Sequence, residues 1–454
     1  MNETKKTMIF GGAAVLLALI ALISAPSRVT PDAFLDQGEP FFQNFTDPNI
    51  ATSMEVVDFD EETGQPVPFK VVFEEGRYSI PSHHDYPADG KDRLSKTAAG
   101  IISLKKDDFR SDNATDYEAC GVIDPLDETA TSLSGRGQRV TIKGANDVTL
   151  ADVIIGNEVP EREGFRFVRM PEQKRIYAAK VDLEVTTKFS DWIDSDLLQV
   201  DKSAITEVVL KDYTINERSG QVNQRDVVVL SQQGSEWTID RLPPGKEIDK
   251  TKTDELLKTL DELSIVGVRP KPAGLSKSLK RDGNQMQISQ QDMISLQGKG
   301  YYFSRDGSLL SNEGELQLET TDGITYTLRF GEVAYGSGAD VSAGASSEEV
   351  NTQVAENRYL FISAQFDENT FREPRAPANT DFLSKADSLW DATDQANKEI
   401  YDAHEAWKRN VEKGQKISND LNDRFAPWYY VISDENFKKL RKSRADLLKD
   451  KPAS

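Results

Sequence analysis

The sequence predicts an α+β protein: one N-terminal transmembrane helix, two tandem mixed or antiparallel-sheet repeats with packed helices, and a long C-terminal α-helical region. Three observations carry this reading. A strand, a proline-containing loop and an amphipathic helix recur in the same order at residues 76–109 and 234–266. An uncharged apolar run opens the chain, and residues 381–424 hold no proline.

The apolar run comes first. Lys5 and Lys6 precede residues 7–25, which are rich in Leu, Ile, Ala and Val and end at Pro26. At about 1.5 Å per helical residue the run spans roughly 28 Å, close to a bilayer core of about 30 Å. Cleavage after Ala25 would place Ile23 at the −3 position, where a small residue is needed, so a retained signal anchor over 1–26 is expected. With Lys5 and Lys6 held on the cytoplasmic side, the body would face the periplasm or cell exterior, which places the chain in the bacterial inner membrane as a single-pass protein. No cysteine follows the run closely, which excludes the usual lipoprotein anchor.

Residues 27–52, with Pro31, Pro40 and Pro48, read as a spacer. The first α+β repeat covers 53–200. Residues 54–59 and 69–73 form a hairpin across EETGQP, residues 77–80 add a strand, and residues 89–104 form a helix with Leu94, Ala98, Ile101 and Ile102 on one side. Strands at 139–142 and 148–155 and a hairpin from 164–170 and 175–181 complete it. Residues 182–204 read as a linker.

The second repeat covers 201–371 in the same order. Strands at 207–213, 226–230 and 237–239 precede a helix with Leu256, Leu257, Leu260 and Leu263 on its apolar face, capped by Thr251 or Thr253. Strands follow at 315–318, 324–330 and 358–364, the last matched to residues 175–179. GSGADVSAGASSEEVNT at 336–352 reads as a loop.

Residues 372–454 read as a helical C-terminal region with coiled-coil features. Phe382, Leu389, Ala396 and Ala403 recur every seven residues, interleaved with Ala386, Thr393, Ile400 and Trp407, while Asn410 and Gly414 interrupt the seam. The helix could pack on its own body, bind a partner helix or self-associate. The aromatic cluster Phe425, Trp428, Tyr429 and Tyr430 is expected in a core.

The chain carries 76 acidic and 55 basic residues, a formal charge of −21, which opposes binding to nucleic acid. Cys120 is the only cysteine, so no internal disulfide can form, and a small buried residue is the expected role. His83, His84 and Asp85 are adjacent, but neighbours on an extended loop point apart, and the third histidine, His404, is distant. No metal, catalytic or cofactor-binding residue is therefore assigned. No GxSxG, HExxH, CxxC, P-loop or dinucleotide fingerprint stands in a suitable context, and Gly135 and Gly137 read as a turn. Paired carboxylates remain open as acid and base on so acidic a chain.

The two repeats resemble a known family. YSIP at 78–81 and WTID at 237–240 precede helices, CGVIDP stands at 120–125, and strands end in IG at 155–156 and FG at 330–331. This order resembles the bacterial domain-of-unknown-function family 4340, over roughly residues 53–371. The second copy lacks a clear GVIDP equivalent and carries GKGYYFSRDG at 298–307 as an insertion. The resemblance implies an extracytoplasmic protein associated with ABC transporters of the gliding-motility type. The expectation is a non-enzymatic, membrane-anchored periplasmic accessory or assembly component of an ABC-type transport system, with a permease and auxiliary subunits as partners. A module binding an envelope polymer, glycan or lipid, is the alternative, and a carboxylate-dependent hydrolase the third reading.

Overall fold

The computed structural model describes residues 11–17, 36–183, 185–194, 196–216, 221–280, 288–304, 307–335, 342 and 356–451. Two compact units emerge, Met1–Pro81 with Pro87–Thr187, and Ser82–Tyr86 with Lys188–Ser454. Most of the anchor assigned to residues 7–25 lies outside the described residues. Within it, residues 11–17 are helical, and among the described residues no helix is long and apolar enough to cross a membrane.

In the first unit, segments rich in β-branched and aromatic residues give β1 (Ser53–Asp60), β2 (Gln65–Glu74) and β3 (Arg77–Ile80), an antiparallel meander with Met54, Val56 and Val71 fully buried. A two-residue strand, β4 (Tyr86–Pro87), precedes helix α1 (Lys91–Ser103), which buries Leu94, Thr97, Ala98 and Ile101 at helical spacing. Next come β5 (Asp108–Ser111) and a single helical turn, α2 (Tyr117–Cys120). The strands β6 (Gln138–Lys143), β7 (Thr149–Glu158), β8 (Phe165–Arg169) and β9 (Ile176–Lys180) finish a sheet ordered β4-β3-β2-β1-β6-β7-β8-β9-β5.

The second unit is built from β10 (Ile205–Asn216), β11 (Gln221–Gln233), β12 (Glu236–Ile239), the short β13 (Lys246–Ile248), helix α3 (Lys250–Asp261) and β14 (Gly267–Pro270). Asp249, rather than a threonine, caps α3 by accepting from the Thr251 and Lys252 amides, and Leu256, Leu257 and Leu260 are buried as the periodicity predicts. Helices α4 (Ala273–Lys280) and α5 (Gln290–Gln297) lead to the pair β15 (Tyr301–Phe303) and β16 (Leu309–Ser311). Then follow β17 (Glu315–Thr320), β18 (Ile324–Ala334), β19 (Asn357–Phe366), helix α6 (Ala392–Phe425), β20 (Trp428–Ile432), helix α7 (Asp434–Leu440) and β21 (Leu448–Asp450), which pairs with β13.

The main sheet of this unit runs β12-β11-β10-β17-β18-β19-β20-β14. Strand for strand, that is the order β3-β2-β1-β6-β7-β8-β9-β5 of the first unit, and each of these pairings is antiparallel in both. The correspondence corrects the sequence alignment of the two halves. β19 takes the place of β8, and the place of β9 is filled by β20, from the region assigned to a separate helical segment. A 34-residue helix separates the two strands of this hairpin, so local pattern could not pair them.

Three other boundaries shift for physical reasons. Residues 182–204 are not a bare linker, since Phe189, Trp192, Leu197 and Leu198 are buried in the second unit. Part of the 27–52 spacer is also packed: Phe41 and Phe45 are buried, and the Phe41 amide donates to the Leu104 carbonyl at 3.1 Å. Helix α6 begins at Ala392 rather than at residue 381, because Asp391 and Asp394 form a capping box there. Its buried face holds Asp394, Asn397, Gly414, Ser418, Leu421 and Phe425, whereas Ala396 and Ala403 of the expected seam are exposed. That face lies against β19 of its own unit, where Asn422 accepts from the Ala364 amide and donates to its carbonyl.

Candidate functional site: the loop and cleft around Cys120

The CGVIDP segment begins where α2 stops. Gly121 adopts φ 67°, a left-handed conformation that closes the helix by donating its N–H to the Tyr117 and Glu118 carbonyls. The segment then crosses β7 in close contact. A Cβ at Gly156 would lie 2.4 Å from the Cys120 carbonyl oxygen, and one at Gly137 would lie 2.7 Å from that of Gly121. The regular β7–β8 pairing breaks between Ile155 and Glu158, around this glycine.

Three arginines hold the loop. Arg136 donates to five backbone carbonyls, of Asp124, Pro125, Asp127, Ala130 and Ser132, and covers the Phe59 ring at 4.3 Å. Arg139 forms a two-pronged pair with Asp152 at 2.6 and 3.0 Å and also reaches Asp124 at 2.9 Å. Arg169 is buried, donates to the carbonyls of Val122, Pro171 and Gln173, and lies over the Tyr117 ring. Asp124 of the motif is thus an anchor for Arg139. None of the three arginines was singled out from the sequence, although Arg169 stands in phase with Phe165 and Phe167 on one strand, an apolar-face position that signals a buried guanidinium.

Beside this loop the first unit has a cleft of about 450 Å³ lined by Cys120, Phe109, Phe167, Ala178, Arg110 and Arg162, among others. Cys120 is 3% exposed, and burial pushes its thiol pKa up despite the hydrogen bond and charge of Arg110. A protonated thiol is a weak nucleophile. Arg162 pairs with Asp108 and stacks on Phe165 at 3.8 Å.

The second unit repeats the crossing. Gly331 takes the part of Gly156: its Cβ would lie 2.1 Å from the Lys299 carbonyl, and pairing of β18 with β19 breaks between Phe330 and Val333. Gly300, at φ 82°, takes the part of Gly121. GKGYYF at 298–303 is therefore the counterpart of ACGVID at 119–124, rather than an insertion. Next to it lies a cluster of Leu275, Leu296, Tyr301, Leu309, Phe361 and Tyr429. Lys271 is buried there, donating to the Phe425 carbonyl at 3.1 Å, with its nitrogen 3.9 Å from the Phe361 ring centre, and burial holds its pKa well below the ordinary value.

The histidine group does not converge. His83 is buried, stacks on Phe189 at 4.6 Å, and shares hydrogen bonds with Ser82 and Ser342. Burial, with His84 and Arg269, lowers its pKa to about 4. His404 lies 3.7 Å from Glu373, and among the described residues no group of three metal-ligating side chains forms. Gly135 follows the turn reading with φ 73°. Phe425, Tyr429 and Tyr430 are buried, as the aromatic cluster predicts, and Trp428 is half-buried. Among carboxylates, partial desolvation and the charge of Asp194 raise the pKa of Asp196, while Asp194 itself pairs with Arg424 at 2.9 Å.

These features define a class: an α+β protein of two antiparallel sheets with one strand order, each crossed over a glycine by a short loop. Residues 79–278 match the model of the family described as "Domain of unknown function (DUF4340)". The matched segment runs from β3 into α4 and contains the Cys120 loop. No curated protein and no solved structure matches the chain.

Proposed function

We propose that the chain is a non-enzymatic accessory or assembly component of an ABC-type transport system, anchored in the membrane through residues 7–25, with its body outside the cytoplasm. The observation that supports a non-catalytic role is how the reactive side chains are used. The Cys120 thiol is kept protonated, the His83 ring is stacked and hydrogen-bonded, and Arg136, Arg139 and Arg169 serve backbone carbonyls and Asp124 and Asp152. Such groups hold a scaffold. The transport association follows from the family resemblance, and the apolar run supports the anchor. A permease and its ATPase would be the partners, since the chain has no P-loop.

The test is purification of the full-length protein from native membranes in mild detergent, followed by mass spectrometry. Near-stoichiometric recovery of a permease and an ATPase is the expected result. Recovery of the protein alone, after both gentle solubilisation and cross-linking, would remove the transport role. A binding module is the second reading, and the cleft beside Cys120 favours it.

A further inference from the structure

Phe382 and Leu389 stand seven residues apart in the expected heptad and meet opposite fates. Phe382 is fully buried, whereas Leu389 is 72% exposed, the highest value of any large apolar side chain among the described residues. Leu383, next to Phe382, is 57% exposed. The two leucines sit on short 3-10 turns, Asp381–Ser384 and Asp387–Leu389, just before α6.

The segment that carries them is tied down. Phe382 packs against Trp390 and Tyr401 with ring centres 5.8 and 5.7 Å apart, and the Trp390 indole donates to the Phe382 carbonyl at 3.2 Å. Lys385 pairs with the buried Asp394 at 2.7 Å. Asn397 accepts from the Ala378 amide, and Trp407 donates to the Phe371 carbonyl, so residues 371–391 run beside the first turns of α6. The helix meets its sheet further along, with Gly414 on Phe366 and Asn422 on Ala364. Between Ala392 and Gly414 it rises about 33 Å. The second unit thus carries an arm whose tip is a small aromatic core holding two leucines outward. Apolar side chains fixed in water gain nothing in the free chain, and their fixed placement lowers the ordering cost of a contact.

Charge selects what the tip meets. Residues 381–394 hold four aspartates and one lysine, a net charge of −3. Asp381, Asp387 and Asp391 are exposed and form no ion pair among the described residues, while Lys385 is committed to Asp394. An anionic bilayer surface repels such a tip, and a second copy of a chain of charge −21 does the same. Lysine or arginine around an apolar pocket complements it.

We propose that the tip formed by Leu383 and Leu389 docks into an apolar pocket, rimmed by lysine or arginine, on a different protein. The proposal does not depend on that protein being a transporter.

The experiment uses the full-length protein in its native membranes, with p-benzoylphenylalanine placed at position 388, so that both leucines stay. The same probe at position 416, exposed on the part of α6 that lies over the sheet, is the control. Irradiation should give one adduct with a different protein from position 388 and none from 416. Mass spectrometry of the cross-linked peptide should show apolar residues beside lysine or arginine. Leu389→Ser and Asp387→Lys should each lower the adduct yield about tenfold. Both positions are exposed, so the urea midpoint should stay unchanged. An adduct with a second copy of this chain, with lipid alone, or with an acidic peptide would overturn the proposal. So would the absence of any adduct from position 388, or a yield that Asp387→Lys leaves intact.

Discussion

Gly156 and Cys120 are in backbone contact: a Cβ on the glycine would stand 2.4 Å from the Cys120 carbonyl oxygen. The obstructing atom is backbone, in a loop that Arg169 holds at the Val122 carbonyl and Arg136 holds from Asp124 onward, so the loop cannot step aside cheaply. Gly156→Ala should therefore destabilise the first unit by about 2 kcal/mol or more. Gly331→Ala should do the same in the second unit, since the Lys299 carbonyl would be 2.1 Å away. Gly298→Ala is the control, because its nearest neighbour would be at 3.4 Å and its φ is ordinary. Urea unfolding of the three variants checks this, and equal midpoints would refute it.

Gly414 faces the ring of Phe366, which would lie 2.1 Å from an added Cβ. Here the obstacle is a side chain, so the cost depends on the partner. Gly414→Ala should cost roughly 1 kcal/mol in the wild type. In a Phe366→Ala background the same change should stabilise by roughly 0.5–1 kcal/mol, the gain from alanine in a helix. A double-mutant cycle that shows no change of sign would reject the nesting of α6 on Phe366.

Much of each sheet was legible, because runs rich in Val and Phe at residues 54–59 and 165–169, and alternation at residues 207–213, report strands directly. Pairing was not. Trp428–Ile432 reads as an aromatic strand in any context, yet only the sheet order shows it beside both β19 and β14. Gly414 looked like a flaw in a heptad because a sequence does not show what lies opposite a helix. The same limit hid the cleft: Cys120, Arg110 and Ala178 come together through β5–β9 pairing, across more than fifty residues of chain.

Lys271 tests the second core. Its folded pKa is held well below the ordinary value by burial, while an unfolded lysine titrates near ~10.4. Between those two values the unfolded chain binds a proton that the folded chain refuses. Stability should then rise with pH across that window, by about 1.4 kcal/mol per unit, and level off above it. Tyr301 and Tyr430, whose pKa values burial raises, act in the opposite sense at high pH, so the comparison is with Lys271→Met. The methionine variant should lose the slope attributable to position 271 and be at least as stable at neutral pH. Unfolding midpoints measured from pH 6 upward decide it.

His83 gives the acid-side counterpart. An unfolded imidazole binds a proton below pH 6.5, whereas the folded one does so only near 4. In that interval acidification favours the unfolded state. Wild type should lose on the order of 2 kcal/mol more than His83→Gln between those pH values. Parallel stability profiles for the two proteins would show that the ring titrates as if in water.

The last prediction concerns the C-terminal region as part of the second unit. Removing residues 372–454 takes away β20, which leaves β19 and β14 without their shared neighbour. It also removes Arg444, which pairs with Asp226 and Asp240 at 3.0 Å each, and β21, which pairs with β13. Exposed edges of that length invite aggregation, and Tyr429 and Tyr430 no longer fill their places. The truncated chain should keep a protected first unit, while β17, β18 and β19 lose hydrogen-exchange protection. If those three strands exchange as slowly as in the full chain, the C-terminal region is an independent appendage after all, and the equivalence of β20 with β9 has no energetic content.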